Sequence, residues 1–184
     1  MASTRPRIPG SSGTVHPVIP WAEPVLGAAC APVTAFDSSL ERLVEDLYAT
    51  MYAHDGVGLA ANQIGVGLRV FVYDCPDDED VRHLGHLVNP VLLEADGVRV
   101  PGEEGCLSLP GVRASTVRWD RAVVRGQDLT GAELEIEGTG FFARCLQHET
   151  DHLDGGVFLD RLTGPRRSLA LRRTRRSVWY HPVS

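Results

Sequence analysis

The sequence predicts one α+β domain in which mixed, largely antiparallel β-sheets pack around a central helix. Two segments have helical periodicity, residues 39–55 and 140–153, and extended segments fill the stretch between them. This order lacks the regular alternation of strands and helices that a parallel doubly wound sheet requires. The 184 residues are 43% hydrophobic and 23% charged, which is typical of a globular domain and excludes collagen-like, coiled-coil and disordered chains.

The N-terminal helix is predicted from a start signal and a stop signal. Ser38 followed by Glu41 forms a capping-box pattern, apolar residues then recur at helical spacing, and Gly56 ends the run. We therefore expect a helix from about Ser39 to Asp55. The first 20 residues are rich in proline and glycine, so we expect them to be loosely ordered.

The predicted strands are rich in β-branched and aromatic residues and are bounded by turn signals. They cover residues 68–73, 87–93, 117–125 and 133–137. Because Pro90 has no amide hydrogen, we expect the second of these strands to lie near an edge of the sheet. The turn at Asp128–Gly131 joins the last two strands.

Charge is divided unevenly along the chain. All 18 basic residues are arginine, and residues 1–155 hold 11 of them against 23 acidic residues. Residues 156–184 hold the other 7 against Asp160 alone. We expect a single catalytic domain over residues 1–165 and a basic C-terminal tail or helix over residues 166–184. A basic face of this kind is usually solvated, and a specific basic site is the alternative.

Composition also bears on the compartment. No apolar run approaches the roughly 20 residues that a membrane-spanning helix needs, and no signal-peptide pattern is present. The four cysteines are far apart and form no dense disulfide framework. We therefore expect a cytoplasmic protein with no membrane or DNA partner.

The central helix, predicted over residues 140–153 and stopped by Gly155, carries a candidate metal site. His148 and His152 stand four residues apart, so both imidazoles can reach one metal ion from one face of the helix. Glu149 lies beside them, where its carboxylate can take a proton from a bound water. Asp151 is available as an acceptor for an imidazole N–H. A chance match to so short a pattern is the alternative interpretation.

A catalytic site of this type needs a third protein ligand. Downstream of His152 the acidic residues are only Asp154 and Asp160, and the sole histidine is His181, so we expect the ligand upstream. Cys106 is the best candidate because a thiolate is a strong ligand. Considered alone, Cys106 is better explained as a small buried apolar residue. Considered together with the two histidines, it is better explained as a metal ligand.

Three motifs occur in order along the chain: Gly56–Gln63, Glu104–Ser108 and Gln147–Gly155. Together they resemble the peptide deformylase family, whose three motifs have the same fixed residues. The resemblance extends over about residues 20–165. It implies a metal-dependent hydrolase that removes the N-terminal formyl group from formylmethionine of newly synthesised polypeptides and releases formate.

The resemblance also implies a role for individual residues. It implies Cys106, His148 and His152 as metal ligands and Glu149 as the catalytic acid and base. The Gln63 side chain and the backbone N–H of Leu107 are implied as donors to the oxyanion. The residues implied in substrate binding are Val57, Gly58, Gly105, Arg113 and Cys145.

Cofactor, partner and activity remain partly open. The resemblance implies Fe²⁺ ahead of Zn²⁺, Ni²⁺ or Co²⁺, and in this family a C-terminal segment can contact the ribosome. A peptidase that cleaves internal bonds is one alternative, based on the two histidines, and a ribosome-associated binding protein with a non-catalytic metal site is another, based on the basic tail. Arg144 is a departure, because many family members have an apolar residue there, near the methionine pocket. There are two interpretations of Arg144. Its aliphatic chain covers apolar surface while its guanidinium stays in water, or its guanidinium has a role in the pocket.

Overall fold

The α+β prediction is confirmed by the computed structural model, which describes residues 9–176. Five strands, β1 to β5, form an antiparallel sheet in sequential order. Three α-helices, α1 to α3, accompany the sheet. In chain order the elements are α1 (Ser38–Ala53), β1 (Gly58–Ala60), β2 (Val70–Pro76), β3 (Arg82–Gly105), β4 (Arg113–Gln127), β5 (Glu133–Thr139), α2 (Gly140–Leu153) and α3 (Gly164–Arg175). Within residues 9–176, no helix has the length and apolar character needed to cross a membrane.

Strand β2 is buried on both faces because it lies between α1 and α2. Side chains of a strand point alternately to its two faces. Val70 and Val72 belong to the apolar cluster of α1, whereas Phe71 and Tyr73 belong to the cluster of α2. This arrangement encloses α2, the helix with the candidate metal ligands, inside the molecule.

The predicted edge position of the strand around Pro90 is wrong. The strand belongs to β3, which is paired with β2 on one side and β4 on the other. The β3–β4 register shifts between Val88 and Val91, and Asn89 has a φ of 51°. The side-chain amide of Asn89 accepts from the N–H of Val33 and donates to its carbonyl oxygen, at 2.7 and 2.9 Å. Proline is tolerated here because the bulge interrupts the ladder.

Helices α1 and α2 both begin within one residue of the predicted start. The N-cap of α1 is Asp37, whose carboxylate accepts from the N–H of Ser39, rather than Ser38 as predicted. Helix α2 begins at the predicted residue but has no side-chain cap from its own N-cap. Instead Asp78, in the acidic loop after β2, accepts from the N–H of Phe141 at 2.9 Å. The carboxylate lies at the positive end of the helix dipole and stabilises the start of α2.

The N-terminal segment contacts the same core over its described part. The N–H of Thr14 donates to Asp46 of α1 at 2.7 Å, and the N–H of Ile19 donates to the carbonyl of Gln63 at 2.9 Å. The first eight residues lie outside the described part of the chain. Loose order of the N-terminal segment therefore stays a prediction.

The described part of the basic tail forms α3. Ala170 of α3 is buried in a cluster with Leu109, Val157 and Phe158, so the helix packs against the loop that follows Cys106. The ring of Phe158 in turn stacks on that of His148, with centroids 6.2 Å apart. Helix α3 thus packs against the residues that in turn contact His148 of the candidate metal centre. Residues 177–184 of the predicted tail lie outside the described residues.

Candidate metal centre and active site

Three potential metal ligands converge where α2 meets the end of β3. The ligand atoms of Cys106, His148 and His152 all lie within 4.8 Å of one another. The sulfur of Cys106 is 3.2 Å from Nε2 of His152. Cys106 and His148 also line a cavity of about 510 Å³. Three protein ligands beside an open cavity are typical of a catalytic metal site, since a structural site is closed by a fourth.

The pKa values of the two imidazoles shift in opposite directions, and their positions fit a bound cation. Burial would lower the pKa of His148, but hydrogen bonds to Cys106 and Glu104 outweigh it and raise the pKa well above its usual range. Burial lowers the pKa of His152 well below its usual range, so its ring is neutral, the form that binds metals. Nδ1 of His148 lies 2.9 Å from a carboxylate oxygen of Glu104. This contact places the proton on Nδ1 and leaves Nε2 for a cation. The site therefore fits one divalent cation, and a thiolate with two imidazoles suits several transition metals.

Glu104 is the acceptor for the imidazole N–H, a role that the sequence assigned to Asp151. That prediction is wrong because Asp151 is taken by two arginines, Arg118 at 2.6 Å and Arg161. Arg118 also binds both oxygens of Glu104, at 2.8 and 2.9 Å. Burial alone would raise the pKa of Glu104, but the hydrogen bonds from Arg118 and His148 outweigh it and hold the pKa well below its usual range. Glu104 is therefore a carboxylate that fixes the orientation of His148.

Sequence reasoning missed these supporting residues. Arg118 is buried in β4, two residues after the buried Thr116, so the two-residue strand period could have identified it as an inward-pointing charge that needs a partner. Asn62, in the first motif, donates from its side chain to the carbonyl of His152 at 2.5 Å. No signal in the sequence indicates that contact, because the two residues are 90 positions apart.

Glu149 is a buried carboxyl group with room to exchange a proton. Glu149 lies between the two histidines in the sequence, and its side chain lines the cavity. Its Oε2 has no hydrogen-bond partner within the described residues. Burial raises its pKa to about 7. Gly58 of β1 contacts this carboxylate so closely that a Cβ at position 58 would collide with it. The absence of a side chain at Gly58 thus lets the strand edge approach Glu149.

The side-chain amide of Gln63 is oriented by its own loop. Its Oε1 accepts from the N–H of Ala60 at 2.9 Å, which turns Nε2 toward Cys106 and Ser108, at 3.4 and 3.3 Å. Leu107, the next residue after Cys106, lines the same cavity. The two predicted oxyanion donors therefore both lie next to the cysteine.

The five predicted substrate-binding residues all line this cavity, which lies between the edge strand β1 and the end of β3. Val57 and Gly58 are on the β1 side, and Gly105 is the last residue of β3. The thiol of Cys145 donates to the carbonyl of Val57 at 3.8 Å. Arg113 is exposed at the rim, 3.2 Å from Glu103. The structure thus places all five residues that the family resemblance implies around one cavity.

Comparison with known proteins identifies the family. A sequence model of the family described as polypeptide deformylase matches residues 15–168. Peptide deformylase 2 of Streptomyces avermitilis is 62% identical over 172 residues, covering 94% of this chain and 92% of that protein. The crystal structure of peptide deformylase from Thermus thermophilus has 42% identity and a TM-score of 0.79, covering 88% of this chain and 93% of that one.

A further solved structure is a class I type b peptide deformylase from Acinetobacter baumannii with Met-Ala-Ser bound. It has 35% identity and a TM-score of 0.74, covering 81% of this chain and 99% of that one. The matches cover most of each chain, and the residues matched by the family model include all three motifs, the sheet and the enclosed helix α2. The chain therefore belongs to the polypeptide deformylase family.

Proposed function

We propose that this protein hydrolyses the N-formyl group of peptides that begin with formylmethionine, releasing formate and a free amino terminus. The observation that carries the proposal is the grouping of Cys106, His148 and His152 at a cavity that Glu149 also lines. The buried Oε2 of Glu149 has no hydrogen-bond partner among the described residues. The family supports the same reaction, and Met-Ala-Ser is bound to the Acinetobacter relative.

In this proposal Cys106, His148 and His152 hold one divalent cation. When bound, the cation supplies a Lewis acid that polarises the formyl oxygen and lowers the pKa of a coordinated water toward about 7. Among the metals that suit this ligand set, we propose Fe²⁺ ahead of Zn²⁺, Ni²⁺ and Co²⁺. Loading the protein anaerobically with each metal and comparing kcat tests the order, and a higher kcat with Zn²⁺ than with Fe²⁺ would contradict it.

Glu149 is proposed as the group that moves the proton. Because burial raises its pKa to about 7, both its protonated and ionised forms are populated at neutral pH. The ionised form can accept a proton from the attacking water, and the protonated form can then give it to the nitrogen of the leaving amine. The free Oε2 faces no competing donor among the described residues, which keeps it available for this transfer.

Gln63 and Leu107 are proposed to stabilise the negative charge that develops on the formyl oxygen. The Gln63 amide is held with its N–H groups toward Cys106, so this donor needs no reorganisation during the reaction. The backbone N–H of Leu107 is the second proposed donor. Removing one such donor typically lowers kcat by about 10²- to 10³-fold.

The peptide is proposed to bind as an added strand. Strand β1 is the edge of the sheet, and its first residue, Gly58, lines the cavity. The backbone at Val57 and Gly58 on one side and at Gly105 on the other would pair with an extended chain. Cys145 would contact the methionine side chain, and Arg113 at the rim would contact the residues that follow it.

Formate release from formyl-Met-Ala-Ser tests the proposed function. With Fe²⁺ or Ni²⁺ bound, the wild-type protein should release formate, and it should leave acetyl-Met-Ala-Ser and internal peptide bonds intact. Glu149→Gln should keep the metal yet lose nearly all turnover, whereas Cys106→Ala should lose the metal. No formate release from the metal-loaded protein, or an active Glu149→Gln variant, would contradict the assignment.

We also propose that the basic tail contacts the ribosome and that the protein acts in the cytoplasm, where nascent chains are made. Six arginines of the tail are exposed: Arg166, Arg167, Arg172, Arg173, Arg175 and Arg176. Guanidinium groups suit RNA phosphates because they can bind them with two parallel hydrogen bonds. The boundary near residue 165 between the catalytic domain and this tail is part of the same proposal.

Substitution tests the ribosome contact better than truncation, because α3 packs against the loop after Cys106. The double variant Arg166→Gln/Arg172→Gln should bind ribosomes more weakly and with less salt dependence, while formate release from short peptides is unchanged. The matched control is Arg42→Gln/Arg125→Gln, which removes two exposed arginines from the body. Equal ribosome affinity of the two double variants would contradict the proposal.

A further inference from the structure

Arg144 is a buried arginine of α2 that the proposed mechanism does not use. It is 8% exposed and lies between the main cavity and a second cavity of about 200 Å³. A guanidinium keeps its charge in a protein, so its burial is costly unless its N–H groups are paired. The partners of Arg144 therefore indicate what the residue does.

Those partners all lie on the β3–β4 hairpin. Nη1 donates to a carboxylate oxygen of Glu104 at 2.8 Å and to the carbonyl of Thr116 at 2.9 Å, with the carbonyl of Gly102 at 3.5 Å. Nη2 donates to the carbonyl of Val100 at 2.9 Å. The guanidinium thus ties α2 to the part of β3 that leads into the cavity wall.

Arg118 binds the same carboxylate in a different way. Its guanidinium pairs with Glu104 and Asp151, both side chains, and so links the hairpin to the C-terminal half of α2. Arg144 adds the main chain of β3 and β4. If Arg144 is replaced, Glu104 retains two hydrogen bonds from Arg118 and the contact with His148. Loss of Arg144 should therefore disturb the cavity wall more than the metal centre.

We propose that Arg144 is a positioning residue for the peptide substrate. By holding the main chain of residues 100–104 against α2, it places Gly105, the next residue of β3, for pairing with the extended peptide. This inference rests on the proposed function, in which the Gly105 backbone binds the substrate. Gly102 supports it, because a Cβ there would lie 2.6 Å from Nη2 of Arg144. The strand passes directly over the guanidinium, so a side chain at position 102 would fit only if the guanidinium moved.

Three variants test the proposal on the metal-loaded protein with formyl-Met-Ala-Ser. Arg144→Met removes the four contacts, Arg144→Lys keeps a charge without the planar fork, and Gly102→Ala keeps Arg144 but displaces its guanidinium. Each should raise KM about tenfold or more with kcat changed less than about threefold, which is the signature of lost ground-state binding. Metal content should be unchanged. The controls Arg121→Met and Gly27→Ala should keep wild-type KM, because Arg121 is on the outer surface and Gly27 has open space for a Cβ.

The outcomes separate this inference from the proposed function. Unchanged KM in both Arg144→Met and Gly102→Ala overturns the inference, as does loss of metal or a lower kcat at unchanged KM. If Arg144→Met does not fold, Gly102→Ala decides, because it leaves the buried charge in place. A metal-loaded wild-type protein that releases no formate overturns the proposed function instead.

Discussion

Arg118 and Arg121 stand three residues apart on β4 and differ in burial rather than in the kind of partner they bind. Arg118 binds the carboxylates of Glu104 and Asp151, and its side chain is 3% exposed. Arg121 binds three carboxylates on neighbouring strands, and its side chain is 32% exposed. The partners of Arg121 are Glu94, Asp96 and Glu137. One strand therefore carries a buried and an exposed cluster of the same chemistry.

The difference shows how environment decides the role of an ion pair. In the buried cluster, water cannot replace a lost partner, so each group holds its neighbours in place. Glu104 in turn holds His148, and Asp151 is the residue before His152 on the same helix, so the geometry of the candidate metal centre depends on this cluster. In the exposed cluster, water and salt screen the charges and hydrate whichever group loses its partner.

Removing Arg118 should have the largest effect. Arg118→Met removes one partner from two buried carboxylates but leaves Arg144 on Glu104 and Arg161 on Asp151. We therefore expect the free energy of unfolding to fall by about 3 kcal/mol, the lower end of the range for a broken buried ion pair. Urea unfolding followed by circular dichroism measures the loss. A decrease no larger than that of Arg121→Met would mean that burial does not decide the role of these arginines.

Replacing Glu104 should have the next largest effect, on metal affinity. Glu104→Gln keeps the shape of the side chain but removes the charge that orients Nδ1 of His148. Loss of such an outer partner typically lowers metal affinity by about 10- to 100-fold. Competition with a chelator measures the change, and Glu94→Gln in the exposed cluster is the matched control. Equal affinity of both variants would show that His148 is oriented without Glu104.

The two clusters also show what could be predicted from the sequence. His148 and His152 could be predicted as a pair because their spacing on one helix places them together, whatever the rest of the fold. The pairing of Glu104 with Arg118 depends on the register of β3 and β4 and on how α2 crosses them. That register includes bulges that no local pattern in the sequence indicates. Residue spacing therefore predicted the histidine pair, whereas the contact that orients His148 could be found only from the tertiary structure.

The same limit explains two individual errors. Pro90 indicates an edge strand by the absence of its amide hydrogen, yet a bulge lets it lie inside the sheet. Asp151 is close enough in sequence to the histidines to be their acceptor, but the helix turns it toward Arg118 and Arg161. Both errors come from long-range packing, which local sequence patterns do not contain.

An intermediate case should show an intermediate, pH-dependent effect. Asp74 is 11% exposed and Arg82 is 66% exposed, and the Asp74 carboxylate accepts from Arg82 twice and from Tyr52. The hydrogen bonds from Arg82 are the main reason that the pKa of Asp74 lies below its usual value. A lowered folded-state pKa stabilises the protein above the unfolded pKa of about 3.9, and this contribution is lost as the pH falls through the folded value.

Asp74→Asn tests this case. At neutral pH the variant should be less stable than the wild type. The difference in stability should shrink as the pH falls below about 4, because the wild-type carboxylate then becomes protonated and uncharged, as the asparagine is at every pH. Urea unfolding at a series of pH values measures both. The control is Asp128→Asn. Asp128 lies in a surface turn and accepts hydrogen bonds from Thr130 rather than from an arginine. A difference between wild type and Asp74→Asn that is constant with pH would show that the ionised form of Asp74 is not what stabilises the fold.

The smallest effect is expected at the exposed cluster, where Arg121→Met should leave the urea midpoint of unfolding, metal content and formate release close to wild type. The acids Glu94, Asp96 and Glu137 are each more than half exposed, so water hydrates them once the guanidinium is gone. The variant should also remove what little salt dependence this cluster gives to the midpoint. A large loss of stability that disappears in high salt would show that mutual repulsion among these three acids, rather than burial, makes an arginine on β4 indispensable. The contrast with Arg118 would then depend on how many carboxylates each arginine separates.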